Sequence, residues 1–248
     1  MKRPTVMFAV ITTAIFLSCE KKDITSNTTN ITNPCPLEQF TVDNYTDDAR
    51  NLYFSEILAD SNHANYHEKQ IDNSQVQSIL KTIQAVYCLD VPERDTVFTL
   101  NSIHGYYCYS YHAISLEVNT NLPEIENLAN GIIPTGNVAL DSLLLAYHFD
   151  SVKTSFSYPN TPWLTIYTAD EYNMIPIQQD LEALDQIILA EMSLGCIGDG
   201  HNITLLRDGD ASTLTFSIGS GDCPSGCLYH RYWEFNVTND IATFVRTY

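Results

Sequence analysis

Positive charge is scarce in this chain. Its 248 residues include 12 Lys and Arg against 30 Asp and Glu, a formal net charge of −18 at pH 7. Proteins bind phosphate backbones through clusters of basic side chains, so the composition argues against nucleic acid as a partner. The acidity is typical of a solvated surface, and it also suits a cation or a basic partner protein.

Long hydrophobic runs are also lacking. A membrane-spanning helix needs about 20 mostly apolar residues, and no segment after Cys19 is that long and apolar. One shorter run, residues 6–17, follows Lys2 and Arg3 at the start of the chain. It is too short to span a bilayer and has the length of the apolar region of an export signal.

Motifs of the common enzyme classes are missing. The sequence contains no G-x-S-x-G, no P-loop and no G-x-G-x-x-G after a strand, which argues against the hydrolases, nucleotidases and dehydrogenases that use them. Thirty acidic residues make some carboxylate pairs inevitable, so a pair alone does not identify a glycosidase. The missing motifs favour a protein that is not an enzyme, and they leave catalysis by another arrangement of residues open.

The first nineteen residues, MKRPTVMFAVITTAIFLSC, end in Phe-Leu-Ser-Cys. This ending resembles the lipobox of bacterial lipoproteins, and the resemblance covers the signal alone. It implies removal of residues 1–18, acylation of Cys19 and a membrane anchor through that lipid. Glu20 follows instead of aspartate, which by the same resemblance favours the outer membrane or cell surface over the inner membrane. An uncleaved anchor, or cleavage nearby, is the alternative.

Residues 19–34 contain the lipidated cysteine and a stretch rich in Asn, Thr and Ser. Such a stretch buries too little apolar surface to offset its ordering entropy, so it is interpreted as a flexible tether. The remaining residues, 35–248, have the length of a single globular domain. A weak internal duplication is possible within it.

The domain is predicted to be α+β, with helices packed on one face of an antiparallel C-terminal sheet. Apolar periodicity predicts helices over residues 46–58, 74–89, 122–130, 138–147 and 175–192. Residues 96–100 and 106–118 are β-prone, and residues 152–158 and 163–168 suit a hairpin. Alternation predicts a four-strand meander over residues 202–208, 212–219, 228–238 and 241–247.

Six cysteines remain after Cys19, and an even number in an exported chain argues for disulfides. Pro224 and Gly226 turn the chain between Cys223 and Cys227, so these two are the first expected pair. Cys88 with Cys108 is expected as a staple from helix to sheet. Cys35 with Cys196 then follows by elimination.

The stretch GDCPSGCLYHRYW permits other chemistry. Cys223, Cys227 and His230 have spacing that zinc ligands use, and a thiol beside a histidine base is a second alternative. Disulfide formation is favoured over both because export places the thiols in an oxidising compartment. The segment also resembles uncharacterised secreted bacterial proteins, a resemblance that implies no activity.

Two further groups are candidate binding residues. Tyr107, Tyr109 and Tyr111 would share one face of a strand and could stack a glycan or contact a protein, although a half-buried strand is the simpler reading. Asp199 and Asp222 lie in glycine-bearing turns, where oxygen ligands could hold calcium, although hairpin turn chemistry explains them as well. No cofactor is predicted beyond this calcium alternative.

The leading hypothesis is a lipid-anchored envelope protein whose disulfide-stabilised domain binds an envelope protein or glycan. The first alternative is an envelope hydrolase that uses carboxylates or a bound cation, with Asp199, Asp222 and His230 as its candidate residues. The second alternative is a structural or inhibitory surface protein.

Overall fold

The computed structural model describes residues 35–157, 161–192 and 198–248, with the backbone alone at 155–157 and 161–162. The predicted signal (1–18), Cys19, the tether (19–34) and Cys196 lie outside the described residues. None of the helices in the described part is long and apolar enough to cross a membrane.

Six α-helices and two four-stranded antiparallel sheets form the described structure, which confirms the α+β class. The helices are α1 Gln39–Ala59, α2 Asn73–Tyr87, α3 Pro92–Asp95, α4 Pro123–Ala129, α5 Val138–Ala146 and α6 Met174–Glu182. The strands are β1 Ala113–Val118, β2 Ser151–Ser157, β3 Thr161–Tyr167, β4 Ile187–Glu191, β5 Asn202–Asp208, β6 Ala211–Ser220, β7 Tyr229–Thr238 and β8 Ile241–Thr247.

The C-terminal sheet is the predicted meander, with strand order β5-β6-β7-β8. Alternation places one face of each strand in the core, so Leu214 and Phe216 of β6 and Trp233 and Phe235 of β7 are buried. Tyr229 and Arg231 follow the same alternation but are exposed. The core therefore ends before the first residues of β7.

Helices α1 and α2 cover the apolar face of this sheet. The Asp72 side chain caps α2 by accepting from the backbone N–H of Ser74, which satisfies one of the unpaired donors at a helix start. The predicted stripe of α2 is buried as expected, through Val76, Ile79, Leu80, Ile83 and Val86. Helix α1 begins at Gln39, before the predicted start, because Thr41 and Tyr45 continue its buried stripe.

The other sheet has the order β2-β3-β1-β4 and a separate core with α4, α5 and α6. The predicted hairpin is confirmed by the pairing of β2 with β3. Because the two sheets differ in strand order, they are not copies of one topology. The internal duplication and the single-domain boundary stay predictions.

Three predicted elements are wrong in part. The helix expected over 175–192 ends at Glu182, and β4 follows it because residues 187–191 pair with β1. Residues 96–100 form a π-helix instead of a strand. Of the β-prone residues 106–118, the strand takes Ala113–Val118. Periodicity cannot separate helix from strand in short apolar runs, and tertiary pairing decides.

Two of the predicted disulfides are corrected. Cys35 bonds to Cys88, with 6.3 Å between their Cα atoms, so Cys88 does not pair with Cys108 and Cys35 does not pair with Cys196. The reason is that the side chain of Gln84 joins the two helix ends. Its amide nitrogen lies 3.0 Å from Cys88 Sγ, and its oxygen accepts from the N–H of Glu38 at 3.1 Å.

The predicted bond between Cys223 and Cys227 is present, and Cys108 is disulfide-bonded too. The predicted disulfide bonding is therefore confirmed for the described cysteines, with different partners for Cys35 and Cys88.

Candidate functional site

Asp199 and His230 form a side-chain pair on the outer side of the C-terminal sheet. Asp199 precedes β5 and His230 is the second residue of β7, and Asp199 Oδ2 lies 2.8 Å from His230 Nε2. The backbone N–H of Gly200 also donates to Asp199 Oδ1 at 2.7 Å. These bonds, that of Gly200 first and that of His230 next, hold the pKa of Asp199 below its usual value.

Close backbone packing holds this pair against the Cys223–Cys227 turn. The N–H of Asp199 donates to the carbonyl oxygen of Cys223 at 2.9 Å. Gly198 has φ +86°, and a Cβ there would lie 2.8 Å from Pro224 Cα. A Cβ on Gly219 would lie 2.8 Å from the Gly200 carbonyl oxygen and would collide with Cys227 Sγ. Glycine is therefore needed at both positions for the loop to approach the turn.

The residues that come together at the alternative metal site differ from the three that the sequence offered. Donor atoms of Asp199, Cys227 and His230 lie within 4.8 Å of one another, so Asp199 takes the place that the sequence offered to Cys223. The sulfur of Cys227 is bonded to Cys223, and a disulfide sulfur is not a thiolate ligand. With the disulfide formed, a carboxylate and an imidazole remain, which is fewer ligands than zinc or calcium takes from protein.

Asp222 stands apart from this pair in the described structure. It precedes a short 3-10 turn, Cys223–Ser225, where its carbonyl oxygen accepts from the Ser225 N–H at 3.1 Å, and its side chain is exposed. Aspartate next to glycine is common in turns, and Asp222 has this role here. The calcium hypothesis stays untested.

A polar hollow of about 310 Å³ lies beside the pair. The ring of His230 stacks on Tyr232, and Tyr232 stacks on Tyr248, with centroid distances of 5.9 and 4.9 Å. The hollow is lined by Asp199, Asn202, Thr204, Thr215, Ser217, His230 and Tyr232. Hydroxyl, amide and carboxylate groups thus gather on the face of the sheet opposite to the buried Trp233 and Phe235.

The three candidate tyrosines do not form a row, because residues 106–109 are not in a strand. The Tyr107 hydroxyl donates to the carbonyl oxygen of Ile203 at 3.2 Å, and burial raises its pKa. The Tyr109 ring meets Phe54 edge to face at 5.7 Å. Tyr111 lies below the Arg50 guanidinium, and burial raises its pKa to about 12. The prediction of one shared face is wrong.

The irregular backbone before Tyr107 has a physical cause. The buried carboxylate of Asp48 accepts from the Gly105 N–H at 2.7 Å and lies 2.7 Å from His104 Nδ1. His104 also stacks on Tyr45. The Tyr107 ring occupies the place where a Cβ on Gly105 would stand. The backbone of this segment is bonded to a helix side chain there, so it does not extend the strand.

A larger concavity of about 850 Å³, here called the β5 groove, lies between α1, residues 106–109 and β5. It is lined by Leu52, Ser55, Glu56, Ala59, Asp60, His63, Gln75, Tyr106, Tyr107, Cys108, Tyr109, Asn202, Ile203, Thr204, Leu205, Leu206 and Arg207. The predicted residues Tyr107 and Tyr109 are therefore brought together after all, in one wall of a groove.

Polar contacts fix the walls of the β5 groove. Arg207 Nε lies 2.9 Å from Glu56 Oε1, and Arg207 Nη1 donates to Gln75 Oε1 at 2.9 Å. These bonds connect β5 to α1 and α2. Burial raises the pKa of Glu56, although Arg207 opposes the shift. Leu206 is 70 % exposed beside them. The groove therefore has one wall held by polar contacts and an apolar residue that is accessible to solvent.

Sequence reasoning missed the groove residues Glu56, Gln75 and Arg207. Gln75 and Arg207 are 132 residues apart in sequence, and no local pattern marks them as neighbours. The only available signal was that Leu52 and Glu56 are one helical turn apart on α1, which places them side by side.

Comparison with protein-family models, with curated proteins and with solved structures finds no match to this chain.

Proposed function

We propose that this chain is a lipid-anchored protein of the bacterial outer membrane or cell surface, and that its globular part binds a partner protein in the β5 groove. The observation that carries the proposal is the groove itself, a concavity of about 850 Å³ between α1 and the edge strand β5. That volume lies within the usual range of ligand sites, ~300–1,000 Å³.

The chemistry of the groove favours protein over glycan. Its lining includes the apolar residues Leu205, Leu206 and Ala59, of which Leu206 and Ala59 are exposed, and exposed apolar surface at a concavity is typical of a protein contact. Disulfide bonds at Cys35–Cys88 and Cys223–Cys227 support an extracytoplasmic location, because such bonds persist in oxidising compartments.

Anchoring is tested by metabolic labelling of cells that express the full chain with an alkyne analogue of palmitate. Label on the wild type that is lost in Cys19→Ser and retained in Cys35→Ser supports the lipoprotein assignment. Equal labelling of the two variants would refute it.

Binding is tested by placing a photo-crosslinking amino acid at position 206 in the intact envelope. The matched control is position 138 on α5, because Val138 is 82 % exposed and lies outside the groove. A crosslink at 206 that is absent at 138, and that excess purified full chain competes away, supports a partner in the groove. Equal crosslinks at the two positions would mean a structural or inhibitory role without a groove ligand.

A hydrolase is the second candidate, and the pair of Asp199 and His230 favours it. A carboxylate that orients an imidazole is a common general-base arrangement, and this one borders the 310 Å³ hollow. Cys227 does not serve as nucleophile while it is bonded to Cys223. Profiling of the wild type, Asp199→Asn and His230→Gln on envelope glycans and peptides decides: a turnover lost in both variants supports the hydrolase, and no turnover in the wild type rejects it.

A further inference from the structure

Strand β5 has an open edge inside the β5 groove. It is the first strand in the order β5-β6-β7-β8, so one of its sides pairs with β6 and the other faces away from the sheet. In an antiparallel ladder, the N–H and C=O of one residue point to the same side, and the side alternates along the strand. The hydroxyl of Tyr107 reaches the carbonyl oxygen of Ile203 from the groove.

This contact identifies which backbone groups face the groove. If the groups of Ile203 point outward, those of Leu205 and Arg207 do so too. The Ser217 hydroxyl donates to the carbonyl oxygen of Asn202 from the opposite side, which agrees with that alternation. Within the described residues, the N–H and C=O of Leu205 and Arg207 have no hydrogen-bond partner beyond the sheet. Unpaired strand edges are templates for another strand.

The concavity found beside the opposite edge strand, β8, is much smaller. Beside β8, the described residues leave a space of about 10 Å³, lined by Cys35, Ala85, Cys88, Leu89 and residues 240–242. The Cys35–Cys88 bond lies there. The β5 edge, by contrast, opens onto 850 Å³ with a helix as its far wall. A groove between an edge strand and a helix suits an extended peptide, because the strand supplies main-chain bonds and the helix supplies apolar contacts.

Charge identifies the chemistry of the occupant. Helix α1 has no basic residue in its last turn, so the partial negative charge of its C-terminus is uncompensated. Asp60 follows it and lines the groove with an exposed side chain. The chain as a whole has a net charge of −18. A Lys or Arg in the occupant is attracted to this end of the groove, and an acidic residue is repelled.

We propose that β5 accepts an extended segment of a partner protein as a fifth, antiparallel strand, with apolar side chains towards α1 and a Lys or Arg beside Asp60. This inference rests on the proposed function and specifies how the groove binds. Pairing with Leu205 and Arg207 supplies about four main-chain hydrogen bonds, two for each residue. Antiparallel pairing is slightly more stable per residue than parallel pairing, which favours that direction.

The test uses a displayed library of random ten-residue peptides selected on the purified full chain, with Leu206→Asp in the groove for counter-selection. The most enriched peptide is then synthesised with one N-methyl group at each position in turn, and its Kd is measured by fluorescence anisotropy. N-methylation removes one main-chain donor without changing the side chains. Strand addition predicts a loss of about tenfold at every second residue and little change between them.

A variant of the chain tests the same bonds from the other side. Leu205→Pro removes the N–H that faces the groove and leaves the pairing of β5 with β6 intact, since proline is tolerated on an edge strand with that N–H outward. We expect binding to weaken by at least tenfold at unchanged circular dichroism. Replacing the peptide's Lys or Arg by Glu also weakens binding, and Asp60→Asn reduces that discrimination.

The outcomes separate the two proposals. If selected peptides bind the wild type but not Leu206→Asp, and the N-methyl scan has no alternation, strand addition is wrong and the groove remains the binding site. If no peptide binds the wild type more tightly than Leu206→Asp, the proposed function fails together with the inference. The N-methyl scan also decides the question if Leu205→Pro does not fold.

Discussion

Replacement of Gly219 by alanine tests the close packing behind the Asp199–His230 pair. Gly219 lies in β6, and a Cβ there would stand 2.8 Å from the Gly200 carbonyl oxygen, 3.1 Å from Cys227 Cβ, and against Cys227 Sγ. Neither neighbour is the mobile end of a long side chain. One is backbone, and the other is held in a disulfide bond.

The magnitude combines two opposing effects. Overpacking of a tight site costs about 1–3 kcal/mol, whereas replacement of glycine by alanine recovers about 0.4–1 kcal/mol from the unfolded chain. We therefore expect Gly219→Ala to lower the free energy of unfolding by about 1–2 kcal/mol. Gly200→Ala is the matched control because its Cβ would lie 3.6 Å from the nearest atom, the ring of Tyr106, which is an ordinary contact.

Urea unfolding followed by tryptophan fluorescence measures both variants, because the side chain of Trp233, a residue of β7, is buried in the core. The reasoning predicts a lower midpoint at an unchanged slope for Gly219→Ala and no loss of stability for Gly200→Ala. Equal stability of the two variants would show that β6 and the turn move apart without cost, and the account of the glycine contact would be refuted.

The other predictions concern cross-links, pH and core packing. Removal of the Cys35–Cys88 bond, whose cysteines are 53 residues apart, is expected to lower the free energy of unfolding by about 4 kcal/mol on the loop-entropy model. Removal of the Cys223–Cys227 bond, at a separation of 4 residues, is expected to lower it by about 2 kcal/mol. Urea unfolding of the two double serine variants measures both, and a larger loss of stability without Cys223–Cys227 would contradict the prediction. His104 has a raised pKa, first through its bond to Asp48, so its contribution to stability is full below its unfolded pKa and is lost as pH rises through the folded pKa. His104→Gln should flatten the stability profile in that window, and an unchanged profile would exclude the ion pair as the cause. Ile83→Ala, at a fully buried position of α2, should cost about 2–5 kcal/mol, whereas Lys81→Ala on the exposed face of the same helix should cost less than about 0.5 kcal/mol by thermal melting.

Elements with a strong local pattern were predictable from the sequence. The stripe of α2 has helical spacing and an Asp cap directly before it, and apolar and polar residues alternate over residues 213–218 of β6 and 233–238 of β7. In these segments local preference and tertiary environment agree, so the pattern alone predicts both the element and its buried face.

Elements that depend on distant contacts were not predictable. Residues 187–191 have apolar spacing that suits a helix, and they become β4 because β1 offers an open edge. Residues 106–109 have strand-forming side chains, but the carboxylate of Asp48 binds the backbone of Gly105 directly before them. Both outcomes depend on partners far away in sequence, which no local window contains.

The candidate site was likewise predictable where its residues are close in sequence and not where they are far apart. The segment containing Cys223, Cys227 and His230 is compact in sequence, so its disulfide was predictable, while its carboxylate partner Asp199 comes from a different loop. The β5 groove could not be predicted because its walls come from α1 and β5, which are far apart in the sequence. Grooves of this kind are properties of the packed structure.

The Cys35–Cys88 bond has a mechanical consequence. Cys35 lies four residues before the start of α1, and its partner is the C-cap residue of α2, so both helices lie inside one covalently closed loop. Tension applied to the chain before Cys35 passes through the sulfur atoms to the end of α2 and bypasses the backbone of α1. Stretching therefore does not unwind α1 from its N-terminus, and the helical wall of the groove keeps its shape while the chain is pulled.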